Sequence, residues 1–105
     1  MTKQFDVYPN PNPATRRAFP YVAVLQADVA ETGADRVAAP LAPRAATGRP
    51  AGRLVPVVSF GEGEFVLLVP GMTAISQRLL RDRAGSIARH RDAVTAALDY
   101  LFQGI

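Results

Sequence analysis

The stretch Leu54-Val55-Pro56-Val57-Val58-Ser59-Phe60, followed by Gly61-Glu62-Gly63 and Glu64-Phe65-Val66-Leu67-Leu68-Val69, decides the fold class. Two apolar runs joined by a short glycine-containing turn are typical of an antiparallel β-hairpin. Pro56 has no backbone N–H to give to a ladder, so the first strand has to lie at a sheet edge or carry a bulge. The stretch therefore predicts a hairpin with an edge strand in a mainly β protein.

Further short strands are predicted on both sides of this hairpin. Alternating or continuous apolar residues bounded by Pro and Gly indicate strands at residues 5–8, 21–26, 36–39 (ended by Pro40) and 72–75. Residues 9–13 read as a surface loop, and residues 42–53, which are small, basic and rich in Pro and Gly, as a long mobile loop. Five or six short strands with such turns favour a small barrel.

The C-terminal region carries the pattern of a helix. Ser86 is the expected N-cap, and one apolar face is predicted from the spacing of Ile87, His90, Val94, Ala97, Leu98 and Leu101. The apolar pattern continues through residues 98–105, and such an end needs to be buried in the fold, in a partner subunit or in a target. We expect one domain over residues 1–105, a β-barrel with a C-terminal helix.

Composition limits the possible partners. The 105 residues carry a net charge of +3, and eleven of the twelve basic residues are arginines, which suits a polyanion or an acidic protein equally. The absence of cysteine excludes disulfides and thiolate metal sites and agrees with a cytoplasmic location. No apolar run of about 18 residues is present, so we expect no membrane contact.

Catalytic chemistry finds little support in the sequence. His90 is the single histidine, and we interpret it as a packed or surface residue rather than a general base. We expect no catalytic residue, no metal and no cofactor. One enzymatic alternative stays open: a ribonuclease would use Arg44 and Thr47, or hold RNA on Arg16 and Arg17.

Five blocks of sequence, in this order and at these approximate spacings, resemble the CcdB toxin family: Gln4-Phe5-Asp6-Val7-Tyr8, Val24-Leu25-Gln26-Ala27-Asp28, Arg36-Val37-Ala38-Ala39-Pro40-Leu41, Pro56-Val57-Val58-Ser59-Phe60-Gly61 and the ending Phe102-x-Gly104-Ile105. The resemblance covers nearly the whole chain. It implies a small SH3-like barrel, as in CcdB and the MazF/Kid-type toxins, with extra strands and a C-terminal helix.

The resemblance also implies a function. Family members are toxins of type II toxin–antitoxin systems. They act as homodimers and poison DNA gyrase, without being enzymes, by binding its A subunit and trapping cleaved DNA. A CcdA-like antitoxin, acidic and partly disordered, neutralises them, and they reach DNA only indirectly, through the autoregulating antitoxin complex. The implied gyrase-binding residues are Gln103, Gly104 and Ile105, and the implied antitoxin-binding residues are Val29, Ala30, Glu31, Asp99 and Phe102.

Position 103 departs from the family pattern. Strong gyrase poisons of the family carry tryptophan there, whereas this chain has Gln103. Glutamine offers hydrogen bonds but little stacking area, and losing such a contact costs about 2 kcal/mol of binding. Three alternatives follow: a weak toxin, a toxin matched to an altered gyrase pocket, or an antitoxin-binding module without toxicity. A MazF/Kid-like endoribonuclease is the remaining alternative.

Overall fold

A computed structural model describes residues 2–28, 33–46 and 51–104. Within these ranges the chain forms seven strands, three short 3₁₀ turns and one helix. The strands are β1 Asp6–Pro9, β2 Tyr21–Val24, β3 Asp35–Pro43, β4 Val57–Phe60, β5 Gly63–Leu67, β6 Thr73–Ser76 and β7 Gly85–Ser86. The 3₁₀ turns are Val69–Gly71, Gln77–Leu79 and Ala88–His90, and helix α1 is Arg91–Gln103.

The seven strands form one antiparallel sheet that curls into a nearly closed barrel. Its strand order is β4-β5-β3-β2-β1-β7, and β6 pairs with the first part of β3. The long strand β3 therefore holds the barrel together, because it pairs with β2, β5 and β6. The expectation of a small SH3-like barrel with extra strands and a C-terminal helix is confirmed.

The predicted hairpin is present as β4 and β5. Phe60 pairs with Gly63 across a turn in which Gly61 has φ +57°, the left-handed conformation that glycine adopts without strain. Strand β4 starts at Val57, directly after Pro56, and lies at one end of the sheet order, as the proline requires. Turn chemistry and the proline thus set this part of the fold locally.

The main core lies between the concave face of the sheet and α1. Its fully buried side chains come from the sheet, from β7's neighbour Ile87 and from α1: they include Val7, Leu41, Val58, Leu67, Ile87 and Val94. The rings of Tyr21, Phe60 and Phe65 pack against this core, with Phe60 and Phe65 stacked at 4.8 Å between centroids. The core therefore fixes the helix on the barrel.

Pro40 does not end the third strand, contrary to the sequence prediction. Strand β3 continues to Pro43, and Pro40 pairs with Val22 of β2. The carbonyl of Pro40 accepts a hydrogen bond from the Leu68 N–H on the side away from β2. Because the N and C=O of one strand residue face the same side, the missing donor of Pro40 falls between the β6 and β5 ladders. The carbonyl of the facing Leu68 is already bonded there, by the Gly71 N–H.

The start of the helix also differs from the prediction. Ser86 belongs to β7, and its Oγ accepts the N–H of Ala88, the first residue of a 3₁₀ turn (3.1 Å), so it does not cap α1. The backbone N–H of Ile87 donates to the Phe5 carbonyl. The pairing of β7 with β1 and the bond to Phe5 hold residues 85–87 at the sheet edge. The helix begins only at Arg91, so Ile87 and His90 precede it and are not part of its apolar face.

The basic loop predicted at residues 42–53 is shorter in the structure. Ala42 and Pro43 belong to β3, and Ala42 is buried. A turn follows at residues 44–46, and Gly52 pairs with Val55 in an isolated bridge. Residues 47–50 lie outside the described ranges. The prediction was therefore wrong for residues 42 and 43, because the apolar pairing of β3 with β5 extends over them.

Candidate functional site

Helix α1 is anchored to the barrel by its inner face. Val94 and Ala97 are fully buried, and Leu98 and Leu101 pack against the same core. Their spacing of three or four residues is that of one helical face, as the sequence predicted. Burial of a side chain such as Val94 contributes about 1.5–3 kcal/mol, so the position of the helix is well determined.

The outer face of the last turns of α1 presents three exposed side chains. Asp99, Phe102 and Gln103 stand three and four residues apart, so they share one face of the helix. The Phe102 ring is 69% exposed, the largest exposure among the large apolar residues described. An exposed aromatic ring flanked by a carboxylate and an amide is typical of a protein-binding surface. We name Asp99, Phe102, Gln103 and Gly104 the helix tip.

Gly104 ends the helix in the left-handed conformation. It has φ 72° and ψ 22°, and its N–H donates to the Tyr100 carbonyl at 3.0 Å. This is the common glycine C-cap, in which the absence of a Cβ removes the steric penalty of positive φ. Because nothing lies within 4 Å of the position that a Cβ would occupy, the backbone conformation and not crowding selects glycine here.

The charge of the helix tip is negative on a basic protein. The helix dipole places partial negative charge at this end, and the last turn contains no basic side chain. Asp99 adds a carboxylate one turn earlier, where the dipole disfavours it. A partner that brings a cation together with an apolar pocket for Phe102 would satisfy both features.

Arg53 supports the helix tip from the side. Its guanidinium lies 4.0 Å from the centroid of the Tyr100 ring. A cation–π contact of this kind contributes about 0.5–1 kcal/mol at an exposed position. The contact joins Arg53 to Tyr100, whose carbonyl accepts the capping hydrogen bond from the Gly104 N–H. Sequence reasoning missed this contact because the two residues are distant in the chain and carry no motif.

The structure describes only some of the predicted binding residues. It brings Asp99 and Phe102 together with Gln103 and Gly104 on the helix tip. Val29, Ala30, Glu31 and Ile105 lie outside the described residues. The chain before this gap is anchored, because Asp28 Oδ1 accepts the Gln4 N–H at 2.7 Å.

His90 has a structural environment. It lies half-buried in the 3₁₀ turn before α1, where its Nε2 accepts the Ser59 N–H at 3.0 Å and is 3.2 Å from Ser59 Oγ. Within the described ranges no carboxylate bonds the other ring nitrogen, so the orienting group of a catalytic triad is not seen there. The bond instead fixes the start of α1 against β4.

The described ribonuclease candidates with hydrogen bonds, Arg44 and Arg16, have different partners. Arg44 pairs with Glu64 at 3.2 Å, with both side chains more than half exposed. Arg16 donates to the carbonyls of Asn10 and Pro11, which holds the loop after β1, and Arg17 is exposed. Thr47 lies outside the described ranges. Among the described residues, no group of three or more His, Asp or Glu side chains is placed to hold a metal ion.

An apolar groove of about 810 Å³ lies on the barrel surface. Its walls come from β2, β3, the loop after β1 and the segment from Leu68 to Leu79, which contains β6. They include Val22, Ala38, Pro40, Leu68, Ile75 and Leu79. Leu79 projects from the rim and is 57% exposed. No short sequence pattern predicts this groove, because segments that are distant in the sequence form it together.

A buried carboxylate lies at the start of β1. Asp6 is 6% exposed, and its side chain receives hydrogen bonds from the Arg83 guanidinium (2.9 Å), the Lys3 N–H (3.0 Å) and the Tyr8 hydroxyl (3.3 Å). Burial raises the pKa of the Tyr8 phenol, and the adjacent Asp6 charge and hydrogen bond raise it further, whereas Arg83 lowers it. The network satisfies every buried oxygen and stabilises the first strand.

In the part of the chain that the structure describes, no helix has the length and apolarity needed to cross a bilayer.

Comparison with known proteins gives one family. No curated protein matches the sequence. The family described as CcdB protein matches residues 4–104, almost the entire chain. Together with the barrel and the C-terminal helix, this match shows that the chain belongs to the CcdB family of toxins from toxin–antitoxin systems.

Proposed function

We propose that this chain poisons DNA gyrase by binding the A subunit with its helix tip and trapping the cleaved-DNA complex. The observation that carries the proposal is the exposed Phe102 ring, held beside Gln103 and Gly104 at the end of a helix whose opposite face is fixed in the core. Such a rigid aromatic anchor loses little conformational entropy on binding. Family membership supports gyrase as the target.

Glutamine at position 103 fits this proposal if Phe102 supplies the apolar area. Phe102 and Gln103 are adjacent on the exposed face, so a gyrase pocket that accepts the phenyl ring places the amide at its rim. There the amide makes hydrogen bonds and does not stack. The toxin is then matched to a pocket different from one that accepts tryptophan.

A cognate antitoxin is proposed to cover the same tip. Asp99 and Phe102, with the segment Val29, Ala30 and Glu31, form the proposed antitoxin surface, so antitoxin and gyrase compete for Phe102. Competition for one hot-spot residue explains neutralisation without any change in fold.

Self-association is proposed to use the apolar groove, whose lining includes none of the helix tip's residues. A two-fold interface needs a surface that complements itself. The groove and the projecting Leu79 on its rim provide a recess and a knob on one face. Within the described residues, β6 pairs with β3 alone, which leaves its other edge open to a second copy.

The proposed action is that of a protein inhibitor in the cytoplasm, where gyrase and DNA are present. No substrate bond is broken by the toxin itself. The chemistry belongs to gyrase, and the toxin stabilises one state of its cycle. A ligand can shift such a cycle only by binding that state more tightly than the others.

A gyrase DNA-cleavage assay tests the proposal. Purified full-length protein is compared with a chain lacking residues 103–105, using gyrase from the cognate host and supercoiled plasmid. We expect linear DNA to accumulate with the full chain and not with the shortened one. The shortened chain should keep its unfolding temperature, because residues 103 and 104 are exposed.

The cleavage assay includes two controls. Arg17→Gln changes an exposed residue of the loop after β1 and should poison gyrase as the native chain does. RNA incubated without gyrase should stay intact. RNA cleavage that Arg44→Ala abolishes, with no gyrase effect, would replace the proposal with the ribonuclease alternative.

A further inference from the structure

The net charge of the protein is concentrated in one short segment. Residues 81–91 contain four arginines and one aspartate, and their net charge of +3 equals that of the whole chain. The remaining residues balance eight basic against eight acidic side chains. We name Arg81, Arg83, Arg89 and Arg91, the arginines of this segment, the basic band. All four side chains are exposed.

The band is held in one place by the fold. Strand β7 pairs with β1 at the end of the sheet order, and the N–H groups of Ala84 and Ile87 donate to the carbonyls of Val7 and Phe5. Arg83 bonds Asp6 at 2.9 Å. The guanidinium of Arg91 lies 5.0 Å from the centroid of the Phe5 ring. The segment therefore runs along the outer edge of β1 as a fixed row and not as a loose loop.

Most of the positive charge in the band has no neutralising partner. Within the described ranges, Arg83 alone among the four forms an ion pair, and Arg81 donates only to the Arg78 carbonyl. Uncompensated arginines on one edge produce a positive field that attracts a polyanion. Guanidinium groups also bind phosphate oxygens in a bidentate manner.

The surroundings of the band favour a nucleic acid over a protein partner. Protein interfaces need apolar or aromatic anchors, yet Ile87 of this segment is fully buried, and the large exposed apolar residues described in the chain, Leu79 and Phe102, lie outside it. The exposed residues between the arginines are Asp82, Ala84 and Ala88, so one carboxylate stands among the four arginines. A polar, small-residue, positively charged surface is typical of contact with a phosphate backbone.

We propose that the basic band binds the phosphodiester backbone of double-stranded DNA directly and without sequence preference. This goes beyond the proposed function and differs from the expectation that DNA is reached only through the antitoxin complex. The inference that the protein binds phosphates depends on the basic band alone. The inference that the nucleic acid is DNA and not RNA rests on the proposed function at gyrase. The contact would hold the toxin near DNA-bound gyrase.

Fluorescence anisotropy with a labelled 20-base-pair duplex and the full chain, without gyrase or antitoxin, tests this. The variant Arg81→Gln/Arg89→Gln removes two charges from the band and leaves the Arg83–Asp6 pair intact. Arg17→Gln/Arg44→Gln removes two charges elsewhere and serves as the matched control. Thermal unfolding followed by circular dichroism checks that both variants fold.

We expect the native chain to bind the duplex at 50 mM salt, with affinity that falls as salt rises. The band variant should bind about tenfold more weakly, and its slope of log K against log salt should be shallower by about 1.8, since each phosphate contact contributes about 0.9. The control variant should stay within about twofold of the native chain.

Several outcomes would overturn the proposal. They are the absence of duplex binding at 50 mM salt, equal losses in the two variants, tighter binding of an RNA duplex of the same sequence, or tighter binding of an acidic peptide that depends on the same two arginines. Gyrase poisoning is measured separately in the cleavage assay, so the failure of one proposal does not carry over to the other.

Discussion

The two faces of helix α1 differ in burial and in role. The inner face, with Val94 and Ala97, is fully buried and holds the helix on the barrel, whereas the outer face carries Phe102 at 69% exposure beside Asp99 and Gln103. The apolar area of the inner face is buried on folding and stabilises the fold. The Phe102 ring on the outer face stays exposed to water and adds little to folding stability. The comparison teaches that stability and partner binding are separable along one helix.

The largest expected effect breaks the inner face. Val94→Asp places a carboxylate in a fully buried position without a partner, and we expect a loss of about 4 kcal/mol in the free energy of unfolding. Urea denaturation followed by circular dichroism measures it. The control is Thr95→Asp, one residue along on the exposed side, which should change stability by less than about 0.5 kcal/mol. Equal effects at the two positions would refute the burial of Val94.

The next effect breaks the outer face alone. Phe102→Ala should leave the unfolding free energy within about 0.5 kcal/mol, because the ring is exposed. If the ring is the anchor for gyrase, the concentration needed for DNA cleavage should rise about thirtyfold, equivalent to about 2 kcal/mol. Leu98→Ala on the inner side is the counterpart: it should reduce stability and spare cleavage by the folded protein. A stable Phe102→Ala protein with full activity would remove Phe102 from the proposed site.

A smaller effect on stability is expected in the buried network of Asp6, Tyr8 and Arg83 at β1. Because the pKa of Tyr8 is raised in the folded protein, the folded state holds the phenolic proton more tightly than the unfolded state. Stability from this group is present below about pH 10 and is lost as the pH rises through the raised pKa. Tyr8→Phe should cost about 1 kcal/mol at neutral pH.

The pH series needs its own control. Unfolding free energies of the native chain and of Tyr8→Phe are measured from pH 8 to 11, with Tyr21→Phe as a second hydroxyl deletion. The native chain should lose stability more steeply above pH 10 than Tyr8→Phe does. Parallel curves for these two proteins would show that the Tyr8 hydroxyl makes no contribution of its own.

The smallest effect sharpens the comparison at the boundary between the two faces. Arg53→Ala removes the cation–π contact with Tyr100 and should lower the unfolding free energy by about 0.5–1 kcal/mol. Arg53→Lys should recover part of this loss, since an ammonium group also interacts with a ring. Thermal unfolding of the three proteins decides the point, and a neutral Arg53→Ala would mean that the contact stabilises nothing.

Local patterns predicted the parts of the fold that local chemistry determines. The turn at Gly61 and the edge position forced by Pro56 follow from properties of those residues themselves. The inner face of α1 followed from helical spacing. Pro40 was misjudged because its tolerance depends on where three other strands begin and end. Ser86 was misjudged because pairing with β1 overrides its capping preference.

The candidate site could be predicted only through the resemblance. Spacing places Asp99, Phe102 and Gln103 on one face, but it does not say which face meets solvent; the core provides that information. The Asp6–Arg83 pair joins residues 77 positions apart, and no pattern in the sequence connects them. The apolar groove likewise arises from four distant segments.

The left-handed cap at Gly104 has a consequence for how partners adapt to one another. Helical geometry provides no backbone donor for the last carbonyl groups of a helix, here those of Leu101, Phe102 and Gln103, while Gly104 occupies the Tyr100 carbonyl. These acceptors have the same geometry whichever side chain stands at position 103. A partner whose own donors bind these carbonyl groups keeps those contacts with either tryptophan or glutamine at position 103.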